Sequence, residues 1–379
     1  MRVLMINDTT NWYHFGCTGT SIAIKNEIEK MGFKVSSFSI MDAAKLENTP
    51  TVDNFFAKYT EEKFIISNSG FCNLIRASDI VIVNGEGTLH GPKKGPLTLL
   101  YMTYIAKNVF SKNVQIINHS VYPNDDLSIH NGPVLDIYKK VYQTVDFSAI
   151  RELESLELMR KIGLDSQESF DCLPLYIKHY YKPKPLNKQK DLILISGSAA
   201  WFNRNIFTDN QSMDSNMESG LEQMANILKT KISSGYKVKF LYSDMAYPAR
   251  DDQEMILVLK SYIGPDFSVA NATSVDEWLD YISEAGLLIS GRFHHSIASA
   301  CLGTKFIALN SNTPKIEGLM SSINCPKPLL YSDKNLDLRL QDYINHPVII
   351  ENPYNIMDDM CNKATNNFIK LKNLGHIIP

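Results

Sequence analysis

Residues 289–320 read ISGRFHHSIASACLGTKFIALNSNTPKIEGLM, and their order decides the fold. The apolar run AGLLIS (285–290) predicts a buried strand. A short turn carrying Arg292, His294 and His295 follows, then a helix of small residues and Gly303. A second strand, KFIALN (305–310), leads into a polar loop with Lys315 and Glu317. In α/β proteins, ligands bind at the carboxyl ends of strands. A helix that starts there adds free backbone N–H groups and a partial positive charge. One arginine and two imidazoles at that point suit an anionic ligand bearing phosphate or carboxylate.

The same β/α alternation runs outward in both directions. RVLMIND (2–8), KVSSFSI (34–40), DIVIVNG (79–85), VQIINHSVYP (114–123) and FSAIR (147–151) read as strands. Amphipathic or apolar helical stretches separate them, including PLTLLYMTYIAKNVFSK (96–112), which is apolar nearly all round. Residues 41–69 read as helical pieces with a long loop. HYYKPKPLNKQK (179–190) breaks the pattern with two prolines and four lysines, as a linker would. A second set follows: DLILISGSA (191–199), a helix over 217–235, YKVKFLYSD (236–244), a helix over 251–264, and SVDEWLDYISEA (274–285) with Ser274 as N-cap. Residues 353–375 read as one long amphipathic helix. The expected architecture is α/β, with two doubly wound Rossmann-like domains facing each other across a cleft, as in GT-B enzymes. The domains are residues 1–180 (acceptor side) and 191–350 (donor side), with 351–379 as a C-terminal helix packing back on the first domain.

Composition sets limits. The chain has 379 residues, 44% hydrophobic and 21% charged, enough for two full cores. A net charge of −3 gives no support to nucleic-acid binding, so any positive site must be local. The six cysteines show no Cys-x-x-Cys and no zinc spacing, which fits reduced thiols in the cytoplasm and no metal. The N-terminus reads as a strand and not as a signal peptide, and no apolar run spans a bilayer. Membrane contact is expected to be at most peripheral, at the inner face.

RFHHSIASACLGTKFIALNSNTPK (292–315) resembles the C-terminal signature of the polysaccharide pyruvyltransferase family. There an Arg-hydrophobic-His triplet opens a helix, and a strand leads to a Pro-Lys pair. ASDIVIVNGEGTLHG (77–91) resembles the family's first-domain strand and Gly-rich loop. FSAIRELESLELMRKIGLD (147–165) resembles its Arg-x-x-x-Ser helix, with an Asp-containing strand after it at SFDCLPLY (169–176). The resemblance implies a GT-B-like fold and a pyruvyl group moved from phosphoenolpyruvate, with no cofactor. It places Arg292 and His294 on the family triplet and Lys315 near the donor, and it gives Arg151 a structural part. His295 stands where the family usually has a small or apolar residue. The first loop departs further, reading HFGCTGTS (14–21) where the family usually has an Asn-x-Gly-Asp type loop.

The residues themselves suggest roles. Arg292, His295, Lys315, Glu317 and Ser198 are candidate donor-binding groups, with His294 catalytic. Glu317 pairs with Lys315 or accepts from a hydroxyl. SGSAAWFNRN (196–205), with Ser196, Gly197, Ser198, Trp201 and Arg204, closes the first strand of the second domain. On the first domain, Glu86 in NGEGTLHG and His14 are candidate proton acceptors. Asn7, Asp8, Trp12, His90 and His119 are candidate acceptor-binding groups, with Tyr13 beside Trp12 as a stacking ring. The bland alternatives are a tight turn at Glu86, a solvated lysine at Lys315 and loop packing at His14.

The expected activity is transfer of a pyruvyl group from phosphoenolpyruvate to hydroxyls of a sugar in surface polysaccharide biosynthesis. The acceptor is a sugar or a lipid-linked oligosaccharide. A GT-B glycosyltransferase using a nucleotide-activated sugar, an acidic CMP-linked one among the candidates, is the alternative. An inactive module that binds anionic glycans is a further one.

Overall fold

The structure, a computed structural model, describes residues 1–12, 14–185, 187–198, 200, 211–242, 250–350 and 352–375. Tyr13, Trp201 and Arg204 lie outside the described residues. The chain divides into two compact units. The first holds Met1–Trp12, Cys17–Tyr176 and the chain from Met360. The second holds Ile177–Asp359 and a piece of the first turn with His14, Phe15 and Gly16.

The first unit begins β1 (Arg2–Asp8), α1 (Phe15–Lys30), β2 (Lys34–Ser39), α2 (Ile40–Ala43), α3 (Lys58–Ser67) and α4 (Ser69–Ala77). It continues with β3 (Ile80–His90), α5 (Lys94–Tyr104) running into a π turn, β4 (Asn113–Tyr122), α6 (Pro133–Thr144) and β5 (Phe147–Ile150). α7 (Leu153–Lys161), β6 (Gln167–Glu168) and α8 (Leu173–His179) follow. Its sheet is parallel, in the order β2-β1-β3-β4-β5-β6. Val3–Ile6 and Val81–Val83 are shut off from solvent, as in a sheet covered on both faces. α5 is buried at every position from Pro96 to Thr103, in accord with its nearly all-apolar sequence.

The second unit contains β7 (Gln189–Ser198), α9 (Gln211–Ser233), β8 (Lys237–Leu241), α10 (Arg250–Ile263), β9 (Ser268–Ala270) and α11 (Val275–Glu284). Then come β10 (Ala285–Gly291), α12 (Phe293–Leu302), β11 (Phe306–Ala308), α13 (Lys315–Ser322) and α14 (Leu336–Asn345). Its sheet is also parallel, in the order β11-β10-β7-β8-β9. Ser274 caps α11 by accepting from the Glu277 N–H. Gly303 ends α12 at φ 70°, a left-handed position that favours glycine. Among the described residues, no helix is long and apolar enough to cross a membrane.

Two stretches differ from their sequence reading. The Pro/Lys-rich segment is not a loose tether. The Tyr181 hydroxyl donates to Asp280 Oδ1 at 2.8 Å, Lys184 pairs with Asp280, and Lys188 Nζ donates to the Ser283 carbonyl at 2.9 Å. These lysines find a carboxylate and a carbonyl on α11, and β7 already begins at Gln189. The C-terminal helix is also interrupted. α15 (Pro353–Ala364) and α16 (Ile369–Gly375) are separated by a 3-10 turn at Thr365–Phe368.

That turn exists to seat Asn367. The residue is 1% exposed, and its Oδ1 accepts from the Asn118 N–H at 2.7 Å and from the Ser169 hydroxyl. Its Nδ2 donates to the Phe170 carbonyl at 2.8 Å. Asn118 in turn holds the Cys172 N–H and reaches Asn84 Oδ1 at 2.9 Å. Asn7 Nδ2 donates to the Asn84 carbonyl. A line of amides thus stitches three strand ends to the C-terminal segment. The strands need it, because Asn7, Glu86 and Asn118 all have positive φ (64°, 46° and 54°), and pairing shifts register beside each.

Asn367→Ala should orphan several of these buried groups, each worth about 1–3 kcal/mol. A fall of at least ~2 kcal/mol in unfolding free energy is expected from urea titration. A loss within ~0.5 kcal/mol would contradict the stitching role.

Candidate functional site

In the second unit, β10 ends in Gly291 and α12 opens at once, with Arg292 as its N-cap residue. The Arg292 side chain makes no cap hydrogen bond to the helix. Its Nη2 instead donates to Asp252 Oδ1 at 2.6 Å, and Asp252 is wholly buried on α10. The carboxylate fits because Gly197 on β7 has no side chain. A Cβ there would lie 1.7 Å from Asp252 Oδ1. Small groups line the same strand ends: Ser196 and Ser290 hydroxyls are 2.5 Å apart, and Ser290 accepts from the Arg292 N–H. Asp252 was not legible in sequence, because an acidic residue in a first helical turn is the ordinary complement to the helix dipole.

His294 and His295 point into different surroundings. His294 is half-buried, and a Cβ on Gly16 would come within 2.3 Å of it. His295 is buried, and Trp278 Nε1 donates to its Nε2 at 3.0 Å. An indole N–H can only donate, so His295 Nε2 holds the lone pair and Nδ1 the proton. Burial, with the charges of Arg292, His294 and His14, keeps the His295 pKa well below the usual imidazole value. The expectation that His295 binds donor is corrected: it is a neutral core residue that fixes the first turn of α12 against α11. Ser198 is corrected likewise, since its hydroxyl donates to the Asn310 carbonyl and accepts from the Ala200 N–H. Lys315 opens α13 with Nζ 2.9 Å from Asn312 Oδ1, and Glu317 is half-buried in the first turn of the same helix.

His14 changes sides. It belongs with Phe15 and Gly16 in the second unit, where Phe15 stacks on Trp278 at 6.2 Å. The expectation of His14 on the first-domain edge is corrected: its contacts place it with the second unit instead.

In the first unit, the centre is Arg151, 1% exposed after β5. Its Nη1 donates to Glu86 Oε2 and to Asp171 Oδ2, both at 2.8 Å, and Nε donates to the Ser120 hydroxyl. Burial works against its charge, but Glu86 and Asp171 outweigh that and raise its pKa. Asp171 also accepts from the Thr20 hydroxyl and the Leu173 N–H. Glu86, expected as a proton acceptor, is buried, and its Oε2 accepts from the Arg151 guanidinium. The RELES stretch that Arg151 opens closes the end of β4, with Ser155 Oγ accepting from the Val121 N–H.

The remaining candidates divide in the same way. Asn7 belongs to the amide line and is buried. Asp8 is held by the Thr10 N–H and hydroxyl. Burial would raise its pKa, but these bonds, Ser37 and Lys25 lower it. Trp12 is half-buried, with its carbonyl accepting from Thr18. His119 is corrected as an acceptor contact: it has no exposure, and its Nε2 lies 2.7 Å from the Tyr142 hydroxyl. Burial, aided by Arg151, pushes its pKa down to about 3. His90 is partly exposed, and its Nδ1 lies 2.6 Å from Asp125 Oδ1. Asp125 sits in a polar loop that gave no sequence signal.

The chain matches the family described as Polysaccharide pyruvyl transferase over residues 20–313 of 379. It belongs to that family. The matched span holds Arg292, His294, Glu86 and His90, and it ends just before Lys315. No curated protein matches the sequence. Among solved structures, the S. aureus MnaA-UDP co-structure superposes with a TM-score of 0.61 at 11% identity, covering 99% of this chain and 96% of that one. The UDP-GlcNAc 2-epimerase from Neisseria meningitidis bound to UDP-GlcNAc gives 0.58 at 12%, covering 99% of each chain. The Methanocaldococcus jannaschii UDP-GlcNAc 2-epimerase in complex with UDP-GlcNAc and UDP gives 0.57 at 12%, covering 99% and 100%. The shared feature is the fold, two parallel-sheet α/β units of GT-B type.

Two outcomes follow from the buried groups. His119 has a folded-state pKa of about 3, below the ~6.5 of an unfolded histidine. The unfolded chain therefore takes the proton first. The stability from this group is complete above pH ~6.5 and falls by roughly 1.4 kcal/mol per pH unit down toward the folded value. Between pH 7 and pH 5, His119→Gln should lose about 1–2 kcal/mol less than the parent in urea titrations. Equal losses would mean that His119 is not buried and neutral. Gly197→Ala should push Asp252 off Arg292 and cost about 1–3 kcal/mol by overpacking. Unchanged thermal unfolding of Gly197→Ala would show that the carboxylate is not held there.

Proposed function

We propose that this protein transfers a pyruvyl group from phosphoenolpyruvate to two hydroxyls of a sugar that belongs to a surface polysaccharide or its lipid-linked precursor. The observation that carries the reading is the first turn of α12. It presents Arg292 and His294 together at the carboxyl edge of β10, in a chain that belongs to the pyruvyltransferase family. A helix N-terminus and a guanidinium favour the same anion. Asp252 fixes the guanidinium in advance, so less order is lost on binding.

The reaction balances without an added reagent. Two C–O bonds form between the sugar oxygens and C2 of the donor, and the bond from C2 to the phosphate oxygen breaks. Of the two hydroxyl protons, one reaches C3, turning methylene into methyl, and the other leaves with phosphate. Arg292 and Lys315 hold carboxylate and phosphate, and His294 protonates the leaving side. In this reading, preorganised cations supply the charge stabilisation, with no metal or organic cofactor. The place of action is the cytoplasm, at most at the inner face of the membrane.

The shared fold favours one other reading, a glycosyltransferase that uses a nucleotide-activated sugar. Solved structures of the same fold hold UDP or UDP-GlcNAc. Thermal shift with phosphoenolpyruvate, UDP, UDP-GlcNAc and a CMP-linked sugar separates the two. Stabilisation by a nucleotide and none by phosphoenolpyruvate would select the second.

Arg292→Lys tests the anion site while keeping a cation against the buried Asp252. Losing the planar fork removes a charge-assisted contact worth roughly 1.5–3 kcal/mol, or about 10- to 150-fold in phosphoenolpyruvate affinity. Wild-type affinity by calorimetry in the folded variant would refute the assignment.

A further inference from the structure

We propose that His295 and Trp278 form a positioning pair for the anion site of the second unit, through which His295 sets the donor affinity of its neighbours Arg292 and His294. The proposal deepens the pyruvyl-transfer reading and rests on it for the identity of the donor. The start of α12 has little hold of its own. A helix N-terminus is ordinarily fixed by a side-chain cap. Arg292, the N-cap residue, makes no such bond, and the first turn holds no acidic residue. The first intrahelical bond is long, with the Ser296 N–H 3.3 Å from the Arg292 carbonyl. The turn that carries the site is therefore placed by contacts from outside the helix. At its start, the Arg292 N–H donates to the Ser290 hydroxyl at 3.0 Å and Nη2 donates to Asp252. Three residues on, His295 Nε2 accepts from Trp278 Nε1 at 3.0 Å. His294 stands between these two anchors in the chain.

The partner helix is better held. Ser274 caps α11 by accepting from the Glu277 N–H at 3.1 Å, and the Glu277 carboxylate accepts in return from the Thr273 N–H at 2.8 Å. Further along, Asp280 ties α11 to Tyr181 and Lys184. Trp278 is wholly buried, its ring stacked on Phe15 with planes 18° apart and set edge-on to His295 at 85°. A fixed ring on a capped helix thus reaches the uncapped one through a single directional bond. That bond needs one protonation state. An indole N–H only donates, so a protonated His295 would set two donors against each other. Burial, with Arg292, His294 and His14 nearby, holds the His295 pKa well below the usual imidazole value, and the ring stays an acceptor at neutral pH. It registers the turn while adding no charge of its own beside Arg292. Leucine at 295 would fill much of the space but orphan the indole N–H, whereas glutamine offers an amide oxygen in place of Nε2. Precision matters here, because a misplacement of about 1 Å at a site can cost about 10²-fold.

The test uses the full chain and calorimetric titration with phosphoenolpyruvate, inorganic phosphate and UDP. The variants are His295→Leu, His295→Gln and Trp278→Phe, each checked for folding by circular dichroism. For the anion that the parent binds, His295→Leu and Trp278→Phe should weaken affinity by about 10- to 100-fold. His295→Gln should bind within about threefold of the parent, a rescue that follows the acceptor atom and not the ring. In the parent, imidazole nitrogen NMR should show His295 as the neutral Nδ1–H tautomer at neutral pH, a readout that stands even where a variant does not fold. A protonated His295, or the Nε2–H tautomer, overturns the pair. So do His295→Leu and Trp278→Phe variants within about threefold of the parent, or a His295→Gln no better than His295→Leu, and both results leave pyruvyl transfer standing. A parent that binds UDP and not phosphoenolpyruvate overturns the transfer reading, and UDP affinity in the same variants then decides the pair. A parent that binds none of the three overturns both.

Discussion

Arg151 has one guanidinium nitrogen 2.8 Å from each of two carboxylates, and all three side chains are nearly without solvent. Much of the first unit is arranged around that fact. Glu86 comes from β3, Asp171 from the approach to α8, and Arg151 from the end of β5. Thr20 on α1 supplies a further hydrogen bond to Asp171. Removing one member of such a cluster leaves an uncompensated buried charge, a loss of about 3–5 kcal/mol. The strands must therefore deliver these residues to one place. They do so by leaving regular pairing at Asn7, Glu86 and Asn118, each with positive φ. Backbone groups released by the bulges are met by amides, ending with Asn367 nearly two hundred residues beyond Phe170 in the chain.

The second unit solves a related problem at lower cost in charge. Arg292 donates to the buried carboxylate of Asp252. Room for that carboxylate comes from Gly197, and close strand contact comes from Gly291 against Ser198. Trp278 and His295 lock the other side of α12 through a neutral hydrogen bond. Both contacts fix the first turn of this helix within the second unit.

Fold and family speak to different things here. At 11–12% identity these solved structures share a chain path and nothing that assigns chemistry. The family match covers the strand ends that carry Arg292, His294, Glu86, Arg151 and His90. A chemical role has to come from how those side chains are held. Glu86 accepts from the buried Arg151, whereas His90 lies against Asp125 with both side chains partly exposed.

The sequence by itself determined the β/α alternation, two parallel sheets, the Ser274 cap, Gly303 at a left-handed helix end, and the Arg292–His294 turn at a strand end. These are local matters of periodicity and backbone conformation, written in adjacent residues. Tertiary structure alone decided which polar groups are partners: Asp252 for Arg292, Trp278 for His295, Tyr142 for His119, Asp125 for His90, and Asn367 for Asn118. Each pair joins residues far apart in sequence, and each side chain reads alone as an ordinary helix, loop or surface group. Whether a titratable group stays available for chemistry depends on burial and on the partner it meets, and neither is encoded within a few residues of it.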